Sequence, residues 1–72
     1  MKVVNYVREI RMQRGITQVQ MAKDLQITRQ TINAIESHKY NPSLELALKM
    51  LVYFDVSIDQ LFRLEGTGGE SK

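Results

Sequence analysis

The sequence predicts an all-α domain of five short helices. Three observations carry this: hydroxyl residues that start helices recur along the chain, apolar residues follow them three and four positions apart, and only short turns intervene. The first helix runs from about Asn5 to Arg14 with Val7 and Ile10 on one face, and Gly15 stops it in the left-handed conformation. Thr17 caps the second helix, Gln20 completes a capping-box pattern, and Met21, Ala22 and Leu25 form its inward stripe, with Ile16 set to staple against Met21. Gln26 and Ile27 alone separate this helix from Thr28, the cap of the third, whose Ile32 and Ile35 point inward. Two helices joined so tightly must cross sharply, as in a helix-turn-helix.

After Glu36 the connector SHKYNP leads on, and Pro42 disfavours helix at Asn41. Ser43 caps a fourth helix with Glu45 in its first turn, and Leu44, Leu48, Leu51 and Val52 supply apolar positions up to Phe54. Ser57 with Gln60 repeats the capping box for a short fifth helix containing Ile58, Leu61 and Phe62. The ends read two ways. Lys2–Asn5 and Phe62–Glu65 either pair as a short antiparallel ribbon, or Val3 and Val4 begin the first helix and the residues after Phe62 trail into solvent. Residues 1–65 are expected to form one domain, with 66–72 a flexible tail.

With 72 residues the chain has room for one domain. A chain this short buries only about 60% of its unfolded surface, so a partner subunit would help stability. No apolar run approaches the roughly 20 residues that span a bilayer, and the N-terminus lacks the apolar core of a signal peptide, so a cytoplasmic protein is expected. The absence of cysteine excludes disulfides and thiolate metal sites. Net charge is +2, but residues 1–49 hold eight bases against four acids (+4) and residues 50–72 two against four (−2). One basic face toward phosphate suits that asymmetry.

The third helix leaves Arg29, Gln30, Asn33, Ala34 and Ser37 facing outward. Arginine and glutamine there have the size and donors to meet base-pair edges, which makes double-stranded DNA the leading partner. No nucleophile–base constellation, glycine-rich phosphate loop or metal-ligand cluster supports catalysis, so neither an enzyme nor a cofactor is expected. His38, the one histidine, sits in a polar connector and reads as a solvated side chain. Met12, Met21 and Met50 stand at apolar helical spacing and read as core filler.

From Val7 to Leu64 the chain resembles the lambda-repressor-like helix-turn-helix family, also called Xre. The matching residues are REIRMQRGITQVQMAKDLQITRQTINAIE, then KYNPSLELALK and VSIDQLF. Its ends, MKVVNYV and RLEG, are similar to those of short cytolysin-repressor-type regulators, in which the termini form a ribbon and the protein is a homodimer. Gln26 and His38 depart from the family pattern, which commonly has glycine at both places.

The resemblance implies roles for individual residues. Arg29 and Gln30 match the positions that enter the major groove, and Asn33 lies one turn further along the same face. Gln18, at the positive end of a helix, and Lys39, Tyr40 and Asn41 match phosphate-gripping positions, while Thr28 and Thr31 are placed to contact either phosphate or a thymine methyl, Thr28 being also the helix cap. Arg11 and Glu36 match a partly buried salt bridge between the first and third helices. One recognition helix reads only a few base pairs, so a homodimer on a palindrome is expected, with Tyr53, Val56, Phe62 and Leu64 as interface residues. Leu51, Phe54, Ile58 and Leu61 are expected to close the subunit's own core. No small-molecule ligand is evident. A competing reading keeps the scaffold but makes protein binding the main work, as in an antitoxin whose DNA binding is autoregulatory.

Overall fold

Hydroxyl side chains satisfy the free N–H groups that open three of the helices, because short polar residues compete best for those donors. In the computed structural model, which describes residues 2–66, Thr17 Oγ1 accepts from Gln20 N at 3.0 Å and Thr28 Oγ1 from Thr31 N at 3.1 Å. Ser43 Oγ accepts from Leu46 N at 3.2 Å, while at the fifth helix Gln60 Oε1 accepts from Ser57 N at 2.8 Å. The elements are β1 (Lys2–Asn5), α1 (Val7–Gln13), α2 (Gln18–Leu25), α3 (Arg29–Glu36), α4 (Leu44–Phe54), α5 (Ile58–Leu61) and β2 (Phe62–Glu65). Of the expected flexible tail, residues 67–72 lie outside the described residues.

Helix ends are as regular as the starts. Ile16 N, Ile27 N, Lys39 N and Val56 N each donate to the carbonyl five residues back, closing α1 to α4 through a left-handed residue. Gly15 fills that place once, at φ +68; Gln26, His38 and Asp55 fill the others at φ 59, 64 and 57. The two positions where the sequence departs from glycine thus do take the positive φ that glycine accepts most cheaply.

β1 and β2 pair antiparallel in the register Lys2↔Glu65, Val3↔Leu64, Val4↔Arg63 and Asn5↔Phe62. The ribbon reading therefore holds, and all-α is an approximate label. It also shortens α1, which starts at Val7 because Asn5 ends the strand. Asn5 is buried; its Oδ1 accepts from Val7 N at 3.1 Å and its Nδ2 donates to Ile35 O at 3.0 Å, so one amide caps α1 and fixes it to α3. Phe62, expected in the fifth helix, is the first residue of β2.

Val7, Met21, Ala22, Leu25, Ile32, Ile35, Met50, Phe54 and Leu61 make the buried core, and Ile16 packs against it. Several expectations need correction. The inward side of α4 is Leu46, Met50 and Phe54, whereas Leu44, Leu48 and Val52 are exposed. Both sets follow four-residue spacing, and the one ending in the large Phe54 ring takes the core. Met12 is 59% exposed, because Val7 and Ile10 take the core side of α1. Ile58 is 57% exposed, since the single turn of α5 offers the core only Leu61. The Thr17 capping box is half formed, the Gln20 amide donating to Asp24 at 2.8 Å instead.

Two polar ties hold α4 in place. Arg14 Nη1 donates to Phe54 O at 2.6 Å, and the Tyr53 hydroxyl donates to Asp24 at the end of α2 at 2.5 Å. Burial first, then the Asp24 bond and charge, pushes the Tyr53 hydroxyl up to about 12. The folded protein thus keeps a proton that the unfolded chain releases near pH 10, so this contribution is complete below pH 10 and is lost as pH rises toward 12. Denaturant titrations should show the stability gap between the parent protein and Tyr53→Phe closing across that window; a gap independent of pH would contradict the tie. Gln26→Gly should raise stability by about 0.5–1 kcal/mol, a few degrees in Tm, by relieving the left-handed strain. A lowered Tm would show that the Gln26 side chain stabilises the turn.

Candidate nucleic-acid interface

The third helix owes its outward face to its inward one. With Ile32 and Ile35 sealed in the core, helical geometry turns Arg29, Gln30 and Asn33 to solvent, where all three are exposed. Together with Gln18 from the start of α2 they line a cleft of about 330 Å³. The structure therefore gathers the three expected base readers and one expected phosphate contact in one place.

Glu36, the only acid of α3, is withdrawn from that face. Arg11 Nε donates to Glu36 Oε2 at 2.6 Å and Arg11 Nη2 to Oε1 at 3.0 Å, a two-pronged pair with side chains 12% and 5% exposed. The bond raises the arginine above its ordinary pKa against the opposing effect of burial, so it stays charged. Arg11 Nη1 also donates to Ile16 O at 2.8 Å, holding the loop that enters α2. Glu36 Oε1 accepts from Gln18 Nε2 at 3.0 Å, and Gln18 Oε1 in turn accepts from Arg29 Nε at 3.3 Å. A chain of four side chains thus runs from α1 to the exposed Arg29 on α3.

The remaining expected residues divide. Thr28 and Thr31 are joined through their hydroxyls at 2.9 Å while Thr28 caps the helix, which leaves one hydroxyl hydrogen of the pair free to donate outward. Lys39, Tyr40 and Asn41 are exposed beyond the C-terminal end of α3. Asn41 lines a separate cleft with Lys2, Val3, His38 and Leu64, beside the ribbon rather than among the readers. Arg8 was not singled out in the sequence, yet it lines a cavity of about 270 Å³ with Asn33 and Ser37. Its position three residues before Arg11, on the same side of α1, was the available signal. Of the expected interface residues, Tyr53, Val56 and Phe62 pack partly against the core, and Leu64 is exposed.

The helix-turn-helix family HTH_3 matches residues 7–61, a span that holds all five helices. The chain belongs to that family. Within it, the lambda-repressor-like or Xre helix-turn-helix proteins are DNA-binding transcriptional regulators. The helix-turn-helix chain is 44% identical over 61 residues to an uncharacterized HTH-type transcriptional regulator of Methanocaldococcus jannaschii, covering 85% of this chain and 92% of that protein. It is 45% identical over 56 residues to one from Archaeoglobus fulgidus, covering 78% and 80%. The HTH-type regulator YgzD of Bacillus subtilis is 41% identical over 61 residues, covering 85% and 92%.

Among the described residues no cluster of His, Asp or Glu suits a metal ion, and no helix is long and apolar enough to cross a membrane. The Arg11–Glu36 pair sets a stability prediction. Arg11→Ala leaves the Glu36 carboxylate buried with only Gln18 as a partner and should cost about 3 kcal/mol, more than ten degrees in Tm. A loss under 1 kcal/mol in thermal melts would mean that water reaches Glu36 freely.

Proposed function

We propose that this protein is a sequence-specific regulator of transcription that binds double-stranded DNA in the cytoplasm as a homodimer and represses by occupying a palindromic operator. The observation that carries the reading is the cleft shared by Arg29, Gln30, Asn33 and Gln18, on a helix whose one carboxylate is paired internally. α3 enters the major groove. Arg29 donates to guanine O6 and N7, Gln30 pairs with an adenine edge, and Asn33 reads one turn further on.

Phosphates are held from both sides. Gln18 and the cation of Arg8 stand beside Asn33, Thr31 lies on the other side of α3, and Lys39, Tyr40 and Asn41 follow beyond its end. These contacts give affinity without sequence choice. Gln18 has two duties, since the amide that holds Arg29 and Glu36 also lies at the N-terminus of α2, where phosphate is favoured. The dimer contact centres on Leu64 at the exposed end of β2, with Tyr53, Val56 and Phe62 shaping the surface behind it. Two α3 helices about 34 Å apart then read half-sites one helical turn apart.

Selection from a random duplex library at about 150 mM salt tests the whole reading, because specific and non-specific binding separate there. An inverted repeat with half-site centres about one turn apart is expected; a folded protein that enriches no sequence would overturn it. On the selected site, Arg29→Ala should cost roughly 1–3 kcal/mol and relax choice at one base pair. Lys39→Ala should weaken specific and random DNA alike and reduce the salt slope by about one. Equal loss on both DNAs for Arg29→Ala would remove that residue from the readers.

A further inference from the structure

The outer side of α4 presents a second apolar stripe that the core does not use. Leu44, Leu48 and Val52 follow one another at four-residue spacing and are 73%, 49% and 82% exposed. Leu48 and Val52 border an open groove of about 560 Å³ between α4 and the end of α2, and no ribbon residue lines it. Along one flank of the stripe Glu45 and Lys49 stand 3.4 Å apart, both in solvent; on the other flank lies the half-buried Leu51. This face is separate from Leu64, the centre of the dimer contact proposed above, and only Tyr53 of that contact also lines the groove.

We infer that the outer face of α4 is a self-docking surface, on which two copies of the chain pair helix against helix, antiparallel about a twofold axis near Leu48. The charges choose this partner and this direction. An antiparallel twofold sets each flank beside the same flank of the other copy running the opposite way. Glu45 then meets the partner's Lys49 and Lys49 meets the partner's Glu45, while Leu44 packs against the partner's Val52 and Leu48 lies at the centre. A parallel pair would instead set the charged flank against the apolar one.

Area fixes the strength. Three side chains cannot supply the roughly 800 Å² per partner of a stable free-standing interface, so this contact is weak alone. It becomes effective when another tether raises the local concentration of the two copies. On the DNA-binding reading that tether is DNA, and the surface joins dimers seated on neighbouring operators into cooperative pairs. Where the contact lies does not depend on that reading; only when it forms does.

The chain contains no cysteine, so one introduced thiol reports one position. Leu48→Cys oxidised by copper phenanthroline without DNA should form linked pairs at least tenfold faster than Val19→Cys, a control of matching exposure at 50%. Glu45→Lys in the Leu48→Cys background should slow linkage severalfold, and adding Lys49→Glu should restore it. Equal rates for the two cysteines, or no response to the charge reversal, would overturn the surface. A duplex with two operators on the same face should accelerate Leu48→Cys linkage at least tenfold over a single-operator duplex. Rapid linkage in solution with no such acceleration would keep the surface and reject its coupling to DNA.

Discussion

Arg11 and Glu36 meet where three helices and a loop converge, and the rest of the molecule is arranged around that contact. The guanidinium has five N–H groups in a fixed plane, enough to hold the carboxylate with two prongs and still reach Ile16 O. A lysine has no such fork. The pair fixes the end of α3 against α1, Ile16 fixes the entry to α2, and Gln18 links α2 back to the same carboxylate. Two helices that share few residues of turn are thereby held at one angle. The outward face of α3 is positioned by polar bonds made on its opposite side.

A chain of this size has little apolar surface with which to enforce its fold, and it spends polar side chains as structural fasteners. Asn5 is the clearest case, since one buried amide ends a strand, caps a helix and bonds a second helix. Arg14 and Tyr53 do the same for α4, at its last carbonyl and at Asp24. The ribbon then joins the two ends of the domain, so that α1 and α5 are anchored through β1 and β2. Each of these groups is satisfied, and no buried side-chain nitrogen or oxygen among the described residues lacks a partner.

Stability and recognition draw on the same residues. Glu36 serves the core by neutralising Arg11 and serves the surface by leaving α3 without an exposed acid, so the outward face of the helix is neutral to basic. Through Gln18 the pair also bears on where Arg29 waits. An arginine held by a glutamine that is itself held by a buried ion pair has less side-chain freedom left to lose on binding a partner.

Helix starts, the tight turn between α2 and α3, and the outward set Arg29, Gln30 and Asn33 were legible because they rest on local chemistry. A hydroxyl before an amphipathic run caps a helix wherever it lies, and sealing Ile32 and Ile35 inward turns their neighbours out. What depended on distant partners was not legible. Asn5 reads as a helix start until Ile35 O is seen to take its amide, and Met12 reads as core until Val7 and Ile10 are seen to fill the core side of α1. In α4 the stripes Leu44–Leu48–Val52 and Leu46–Met50–Phe54 have equal periodicity, so the sequence alone determined that a helix stands there. Only tertiary packing decided which stripe is buried, because the phase of a helix all but surrounded by apolar residues is set by the cavity its neighbours leave, here one large enough for Phe54.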